Sequence, residues 1–350
     1  MPLHPLVGHA SQRRRLAGAL RAGRLPQVLL LTGPTGVGKQ RLGLWIAQLA
    51  LCDRPGEEPC GACRPCRLVL GLVHPDVHWF VPVARSKAAD ADKQVDEAAE
   101  SLAQVMEERR QTPRYAPPDG MACHGMASVR LLLRRAALTP VEGRYKVFLI
   151  GDAERLVPQE SSPDAANALL KLLEEPPADT LFVLTAADIR RLLPTVRSRA
   201  VPLRLGRLTD AEVAEVVGRP APEAQGAPGV AVAGVALEGA AEAVATLLDA
   251  IVADDPGARM ERALRQPPFA ARGDFTAMLD ALADALGDAA RQACGESPRR
   301  PVPAALRSRC DAGALLRAIQ RVADAREAAA GNVNPQLLLA TLAEDLAEAL

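Results

Sequence analysis

Long apolar runs stand out in the N-terminal part of the chain. Three of them are almost free of polar residues: VLLLTG (28–33), KVFLIG (146–151) and TLFVLTA (180–186). Successive side chains of a strand point to opposite faces, so a run that is apolar at every position belongs to a strand buried on both faces. The pattern therefore predicts three buried strands.

Between these runs, apolar residues recur at helical spacing. The predicted helices cover residues 11–22, 38–52, 126–138 and 164–175. Ser11 is predicted as the N-cap of the first helix, and Pro176 ends the last one because proline cannot continue the hydrogen-bond ladder. Strands that alternate with helices indicate an α/β fold with a parallel sheet that is covered on both faces.

The rest of the chain is predicted to be helical. A segment inserted at 84–124 contains a charged helix with Val95, Ala98, Leu102 and Met106 on one face. No strand pattern follows Pro202. Breaks at 219–230 and 296–303 divide the helical remainder, and about 150 residues are expected per domain. We expect three parts: an α/β module, a small helical domain and an all-α C-terminal domain, over 1–205, 206–255 and 256–350.

The composition excludes some classes of protein. Lys and Arg together number 42, as do Asp and Glu, so any contact with nucleic acid has to be local. Only 3% of the residues are aromatic, which favours helices packed by aliphatic side chains. No signal peptide is visible, and three acidic residues interrupt the most apolar stretch (229–253). We expect a cytoplasmic protein without a membrane span.

A glycine-rich turn, GPTGVGKQ, follows the first apolar run. Gly33, Gly36, Gly38 and Lys39 fit a phosphate-binding loop, in which backbone N–H groups and a lysine face the phosphates of a nucleotide. A glycine-rich turn without a ligand is the alternative. The loop pattern continues with Ser or Thr, whose hydroxyl holds Mg²⁺, but Gln40 stands there.

Two further departures concern ATP hydrolysis. In active enzymes of this build, the strand that is KVFLIG here is followed by carboxylates that hold Mg²⁺ and polarise water, but Gly151 and Asp152 stand in those places. No Lys or Arg lies between Arg219 and Arg259 to contact the γ-phosphate. These departures predict a site without turnover, and ATP binding without hydrolysis stays open.

Four cysteines follow the predicted loop helix: Cys52, Cys60, Cys63 and Cys66. A pair of thiolates separated by two residues suits one metal ion, and four thiolates suit tetrahedral Zn²⁺ with no open coordination position. We therefore expect a structural zinc site, with four reduced surface thiols as the alternative.

The other histidines and cysteines considered as metal ligands are predicted to be structural residues. His74 and His78 are expected in a strand or loop because four cysteines already complete a site. Cys123, Cys294 and Cys310 are expected as reduced core residues, and no function is predicted for them.

Most charged clusters are predicted to lie in solvent. Glu174 and Glu175 point about 100° apart on a helix, so they do not form an acid–base pair. Arg13–Arg15 and Arg134–Arg135 are expected on solvated faces, with phosphate contacts as the alternative.

Ser198 and Arg199 are different because they follow the third strand at the edge of the module. An exposed arginine there could reach a nucleotide on a neighbouring subunit and stabilise charge on its phosphoryl group. An ordinary surface ion pair is the alternative.

Several segments together resemble bacterial clamp-loader subunits of DNA polymerase III, most of all the delta-prime class. They are LVGHASQRRRLAGALRAGRLPQVLLLTGPTGVGK, the cysteine cluster, HPDVHWF, LTPVEGRYKVFLIGDAERL, NALLKLLEEPPADTLFVLT, LLPTVRSRA and NVNPQLLLATL. The resemblance covers about 1–83, 125–205 and the last twenty residues. It is weak over 206–330 and absent over 84–124.

The resemblance implies an AAA+ P-loop module, a helical lid and a C-terminal collar that assembles a five-subunit ring. It implies zinc on the four cysteines, and an arginine finger from Ser198 and Arg199 that completes the ATP site of a gamma/tau subunit. The chain departs from the family pattern at two places. Ala200 stands where the family has cysteine, and the spacing after Cys52 is one residue shorter than the commonest form in the family.

We therefore expect a ring subunit that does not hydrolyse ATP and that acts with gamma/tau and delta to load the sliding clamp on primed DNA. A gamma/tau-type subunit that hydrolyses ATP is the alternative. A zinc-dependent nucleic-acid-binding module is a third possibility, against which zero net charge and few aromatic residues argue.

Overall fold

The structure is a computed structural model that describes residues 3, 6–86, 88–111, 122–156, 164–232, 235–267, 274–307, 311–329 and 333–350. Cys310 and parts of the inserted segment (87 and 112–121) lie outside the described residues. The chain divides into two compact units, Met1–Val232 and Ala233–Leu350. The division into three domains stays a prediction.

The first unit contains a five-stranded sheet whose neighbouring strands all run parallel. The strands are β1 (Val28–Thr32), β2 (Val77–Phe80), β3 (Lys146–Ile150), β4 (Thr180–Ala186) and β5 (Val201–Arg204), in the spatial order β2-β3-β4-β1-β5. The three predicted strands are the three central ones, which explains why their sequences are apolar throughout. The predicted α/β fold with a parallel sheet is confirmed.

The two edge strands, β2 and β5, were not among the strands predicted from the apolar runs. In β5, Val201, Pro202 and Arg204 are exposed and only Leu203 is buried, so the expectation of no strand after Pro202 was wrong. Proline is tolerated there because an edge strand leaves one row of N–H groups unpaired. In β2 only Phe80 is fully buried, so the strand lacks a continuous apolar run.

The described part of the first unit also contains α-helices. They are α1 (Ala10–Arg21), α2 (Lys39–Leu51), α3 (Arg64–Leu70), α4 (Ala91–Gln111), α5 (Met126–Ala136), α6 (Asp164–Glu174), α7 (Pro194–Arg197), α8 (Asp210–Val217) and α9 (Pro228–Val232). Leu31 and Leu149 pack in a core with α1, α2 and α3. Leu30, Phe148 and Phe182 pack in a second core with α4, α5 and α6.

The inserted helix is confirmed as α4. Val95, Ala98 and Leu102 are buried and Met106 is partly buried, as the apolar stripe predicted. Burial of this face attaches α4 to the same core as α5, so the insertion is part of the first unit.

The second unit is all-helical in its described part. Its helices are α10 (Val235–Val252), α11 (Pro256–Leu264), α12 (Asp274–Ala293), α13 (Ala312–Ala329) and α14 (Pro335–Ala349). Leu282, Leu315 and Leu342 are among the residues of its single apolar core. Arg259 of α11 donates two hydrogen bonds to Glu344 of α14, at 3.0 and 2.9 Å. Every helix in the described residues is too short or too polar to cross a membrane.

Candidate functional site

The glycine-rich loop lies where the sequence predicted it, between β1 and α2. The φ angles of Gly33, Gly36 and Gly38 are 150°, 80° and 97°, which residues with a side chain rarely adopt. A Cβ atom on Gly33 would also lie 2.4 Å from the backbone oxygen of Leu205. The loop conformation therefore depends on glycine at these positions.

Lys39 is bonded to its own loop. Its Nζ donates to the backbone oxygens of Gly33 and Pro34, both at 2.8 Å, and the residue is 6% exposed. Burial lowers the pKa of Lys39, and the carboxylates of Glu154 and Asp152 oppose that shift. The ammonium group thus lies inside the loop, in the position of a phosphate-binding lysine.

Gln40 connects the start of α2 to β2 and to the turn that follows β3. Its Oε1 accepts from Trp79 Nε1 at 3.2 Å, and its Nε2 donates to Asp152 Oδ2 at 3.3 Å. The indole N–H can only donate, so the amide oxygen has to face Trp79 and the amide nitrogen has to face Asp152. A Cβ atom on Gly151 would lie only 2.7–2.9 Å from the Gln40 amide.

Two buried polar residues near the end of β3, His124 and Glu154, were not predicted from the sequence. His124 Nε2–H donates to the Gly151 oxygen at 2.6 Å, and burial lowers the pKa of His124 to about 4. Glu154 Oε1 accepts from the Ala187 N–H at 2.9 Å. Burial raises the pKa of Glu154, and its Oε2 has no hydrogen-bond partner within the described chain. Glu154 lies four residues after the end of β3, and an acidic residue within one turn of a buried strand is the signal that could have identified it.

Two contacts support the glycine-rich loop from behind. His9 Nε2–H donates to the Val37 oxygen at 2.8 Å, and the Gly229 N–H of α9 donates to the Gly36 oxygen at 3.0 Å. His9, with φ of 54°, is also the N-cap residue of α1. The prediction of Ser11 as N-cap was wrong, because α1 begins at Ala10 and Ser11 lies inside it.

The four cysteines of the predicted metal site lie together. Their sulfur atoms all lie within 4.8 Å of one another. The Cys63–Cys52 and Cys60–Cys66 pairs are 3.9 and 4.0 Å apart. Zinc–sulfur bonds of about 2.3 Å in a tetrahedron require sulfur atoms about 3.8 Å apart. The donor set and its spacing therefore fit a metal ion such as Zn²⁺.

Backbone groups shape the cysteine cluster. The Cys60 N–H donates to Cys52 Sγ at 3.4 Å, and the Cys63 N–H donates to Cys60 Sγ at 3.3 Å. Hydrogen bonds from the backbone of Cys63 and Ala62 lower the pKa of Cys60 to about 6, whereas burial raises the pKa of Cys52 and Cys66. N–H groups directed at sulfur are the arrangement that stabilises thiolates.

The loop that carries the cysteines is also tied to α1 and α2. Glu58 Oε2 accepts from Trp45 Nε1 at 2.7 Å, and its Oε1 pairs with Arg13 at 2.9 Å. Arg13 is therefore a structural ion-pair partner. Arg134 likewise pairs with Asp92 at 2.5 Å, so one arginine of each predicted basic cluster binds a carboxylate.

His74 and His78 lie outside the sulfur cluster, as predicted. His74 precedes β2 and its Nδ1 accepts from the Asp76 N–H at 3.1 Å, while His78 belongs to β2. Asp76 in turn accepts from the backbone of Val141, Glu142 and Gly143.

The scattered cysteines divide into two kinds. Cys123 is buried, as predicted, and Arg85 Nε donates to its sulfur at 3.4 Å. Cys294 is exposed, so the prediction of a core residue was wrong there. The reason is that Cys294 follows the last residue of α12 and enters a polar turn.

Arg199 lies in the turn that follows α7 and is paired within the chain. Its Nε and Nη2 donate to Glu174 Oε2 at 3.3 and 2.9 Å, and its Nη1 donates to the Thr195 oxygen at 2.9 Å. Ser198 Oγ donates to the same oxygen at 3.1 Å. Glu174 is exposed at the end of α6, as predicted, and in addition it pairs with Arg199. The ion-pair alternative for Arg199 is observed, and within the described chain its hydrogen bonds go to Glu174 and Thr195 and not to the glycine-rich loop.

Comparison with known proteins gives a consistent picture. Residues 8–209 match the model of a family described as "DNA polymerase III, delta subunit". The delta' subunit of DNA polymerase III from Pseudomonas aeruginosa is 34% identical over 174 residues, which cover 49% of this chain and 40% of that protein. The Escherichia coli delta' subunit is 31% identical over 186 residues, covering 53% and 44%.

A gamma/tau subunit also matches. The subunit from Mycobacterium tuberculosis H37Rv is 30% identical over 203 residues, covering 57% of this chain and 28% of that protein. The chain thus spans less than half the length of these relatives. A solved gamma subunit-related protein of DNA polymerase III from Thermotoga maritima has 15% identity, covers 97% of this chain and 99% of its own, and has a TM-score of 0.39. That score is too low to establish a shared overall arrangement.

The family match spans more than half of the chain and coincides with the parallel sheet, the glycine-rich loop and the cysteine cluster. The chain therefore belongs to the family described as DNA polymerase III, delta subunit, and it is similar to delta' subunits of that polymerase.

Proposed function

We propose that the chain is a clamp-loader subunit that does not hydrolyse ATP and that completes the ATP site of a neighbouring gamma/tau subunit with Arg199. The observation that carries the first half is the Gln40 amide, which fills the space in front of Gly151. Gln40 and Gly151 stand at the two positions where an active enzyme places its magnesium ligands.

The chemistry of the amide supports this proposal. A magnesium ion needs oxygen ligands at about 2.0–2.1 Å, in near-octahedral geometry. Gln40 directs an N–H group at Asp152, and an N–H donor cannot bind a cation. Its oxygen is engaged with Trp79. The Asp152 carboxylate is thus paired with a hydrogen-bond donor at the place where a magnesium ion would have to bind.

The phosphate cradle itself is intact. The left-handed glycines, the N-terminus of α2 and Lys39 are the groups that bind phosphates. A nucleotide would have to replace the Gly33 and Pro34 oxygens as acceptors for Lys39. Binding without turnover is therefore compatible with the proposal, whereas magnesium-dependent hydrolysis is not.

We infer that Cys52, Cys60, Cys63 and Cys66 bind one structural Zn²⁺. Four thiolate ligands complete its coordination, so the ion would supply cross-linking and no reaction. The cysteine loop also carries Glu58, which contacts α1 and α2. Zinc would thereby stabilise the position of α1, whose His9 supports the glycine-rich loop.

The proposed partners follow from the family. They are gamma/tau and delta subunits in a five-membered ring, the sliding clamp, and primed DNA that the ring as a whole engages. The relatives named delta' and gamma/tau support this assignment.

Two measurements test the proposal. The isolated chain should show no magnesium-dependent ATP turnover above background. In a complex reconstituted with gamma/tau and delta, Arg199→Ala should reduce DNA-stimulated turnover at the completed site by up to about a thousandfold, because arginine fingers contribute on this scale. The loss for the whole ring should be smaller, and clamp loading should fall with it.

A matched control is Arg197→Ala, which removes a neighbouring exposed arginine of α7. It should leave turnover and clamp loading unchanged. Turnover that stays at the wild-type level in Arg199→Ala would remove the finger from the proposal.

A gamma/tau-type subunit that itself hydrolyses ATP is the second candidate, because the Mycobacterium tuberculosis gamma/tau subunit is similar to this chain. Brisk magnesium-dependent hydrolysis by the isolated chain would favour it and contradict the first proposal.

A further inference from the structure

The guanidinium group of Arg199 is held along one side only. It has five N–H donors, of which Glu174 accepts two and the Thr195 oxygen accepts one. Within the described chain, one donor on each terminal nitrogen is left for another acceptor. The side chain is 27% exposed, so these two donors can reach a group outside the chain.

Glu174 is poorly placed for helix stability alone. It is the last residue of α6, where the negative end of the helix dipole disfavours a carboxylate. Its side chain is 59% exposed, and ion pairs between exposed groups contribute little to stability. The helix therefore gives no reason for an acid at this position, whereas the two hydrogen bonds that Arg199 donates to Glu174 Oε2 do.

The neighbouring acid has no such contact. Glu175 is exposed, and in the described structure Arg199 bonds to Glu174 and not to it. The two adjacent glutamates therefore differ in one relevant respect, which makes Glu175 a matched control.

We propose that Glu174 is the positioning residue of the arginine finger. It fixes the guanidinium plane of Arg199 against α7 so that the two remaining N–H groups face an anionic acceptor on the adjoining subunit. This inference rests on the proposed function, because it assumes that Arg199 acts in trans. Glu174 itself does not touch the reacting phosphate, whose negative charge would repel it.

The test uses the complex reconstituted with gamma/tau and delta, and it measures kcat and KM for DNA-stimulated ATP turnover. Glu174→Ala should lower kcat about tenfold with little change in KM, because a misplaced catalytic group costs rate and not substrate affinity. Glu174→Gln keeps an acceptor oxygen and should recover most of the loss. Glu175→Ala should match the wild type.

A double variant shows whether Glu174 acts through Arg199. If it does, Glu174→Ala combined with Arg199→Ala should be no slower than Arg199→Ala alone. Losses that multiply would overturn the inference, as would wild-type or increased kcat in Glu174→Ala. Thermal unfolding of each variant chain should stay close to that of the wild type, and Glu174→Gln covers the case in which the alanine variant does not fold.

The outcomes separate the two proposals. If Arg199→Ala loses turnover while Glu174→Ala does not, the finger stands and the positioning role fails. If Arg199→Ala keeps wild-type turnover, the finger fails, and the positioning role fails with it.

Discussion

Replacement of Gly151 by alanine tests whether the Gln40 amide fills the space at the end of β3. The added Cβ would lie 2.7 Å from Gln40 Nε2, which is closer than such atoms pack, so the Gln40 amide has to move. The backbone is no obstacle, because Gly151 is not among the residues with positive φ.

Movement of the amide removes its hydrogen bonds to Trp79 and Asp152. Each bond contributes about 1 kcal/mol, so the loss is about 2 kcal/mol. Replacement of glycine by alanine in a compatible conformation returns about 0.4–1 kcal/mol through the unfolded chain. Gly151→Ala should therefore destabilise the first unit by about 1–1.5 kcal/mol.

The effect should depend on Gln40. In a Gln40→Ala background the space in front of position 151 is open, so Gly151→Ala should be neutral or stabilising by up to about 1 kcal/mol. The coupling between the two positions is then about 2 kcal/mol.

Urea unfolding of the four proteins in the cycle measures this coupling. Trp45 and Trp79 are the two tryptophans of the chain, and both belong to the first unit, so fluorescence follows that unit alone. A Gly151→Ala effect of equal size in both backgrounds would refute the reasoning.

Two further predictions concern the metal site and a buried histidine. Cys63→Ser, or chelation, should release one zinc per chain. The first unit should then be about 4 kcal/mol less stable than the wild type kept at a free zinc concentration a thousandfold above Kd. Cys294→Ser should do neither. A metal-free protein with an unchanged urea midpoint would contradict this. The pKa of His124 is about 4, against an ordinary value of 6.5, so the unfolded state binds more protons between these values. Stability should fall by up to about 3 kcal/mol as pH drops from 6.5 to 4, and His124→Gln should flatten that slope in urea titrations. An equally steep slope in the variant would show that other groups cause it.

Local sequence was sufficient for the central strands, the glycine-rich loop and the cysteine cluster. β1, β3 and β4 are buried on both faces, and that burial requires apolar residues at every position. Cys60, Cys63 and Cys66 are each separated by two residues, and this spacing is typical of thiolates that share one metal ion. Information of this kind is contained in a short window of sequence.

Edge strands and capping residues were harder to predict. β2 and β5 face a neighbour on one side only, and their mixed composition resembles that of loops. His9 is the N-cap residue of α1 and has a left-handed conformation. The sequence HASQ does not predict this, because serine is a more usual N-cap residue than histidine.

The residue pattern alone predicted a parallel α/β module with a glycine-rich loop, and it showed Gln40 and Gly151 at the positions where a phosphate-binding loop of an active enzyme has a hydroxyl and a carboxylate. The folded chain was needed to show that the Gln40 amide fills the space beside Gly151, that His124 is buried against the Gly151 oxygen, and that Glu174 pairs with Arg199. The physical reason is separation along the chain: Gln40 and Asp152 are 112 positions apart, and Glu174 and Arg199 are 25 apart. Contacts of this range depend on how the strands are ordered in the sheet, which no local pattern specifies.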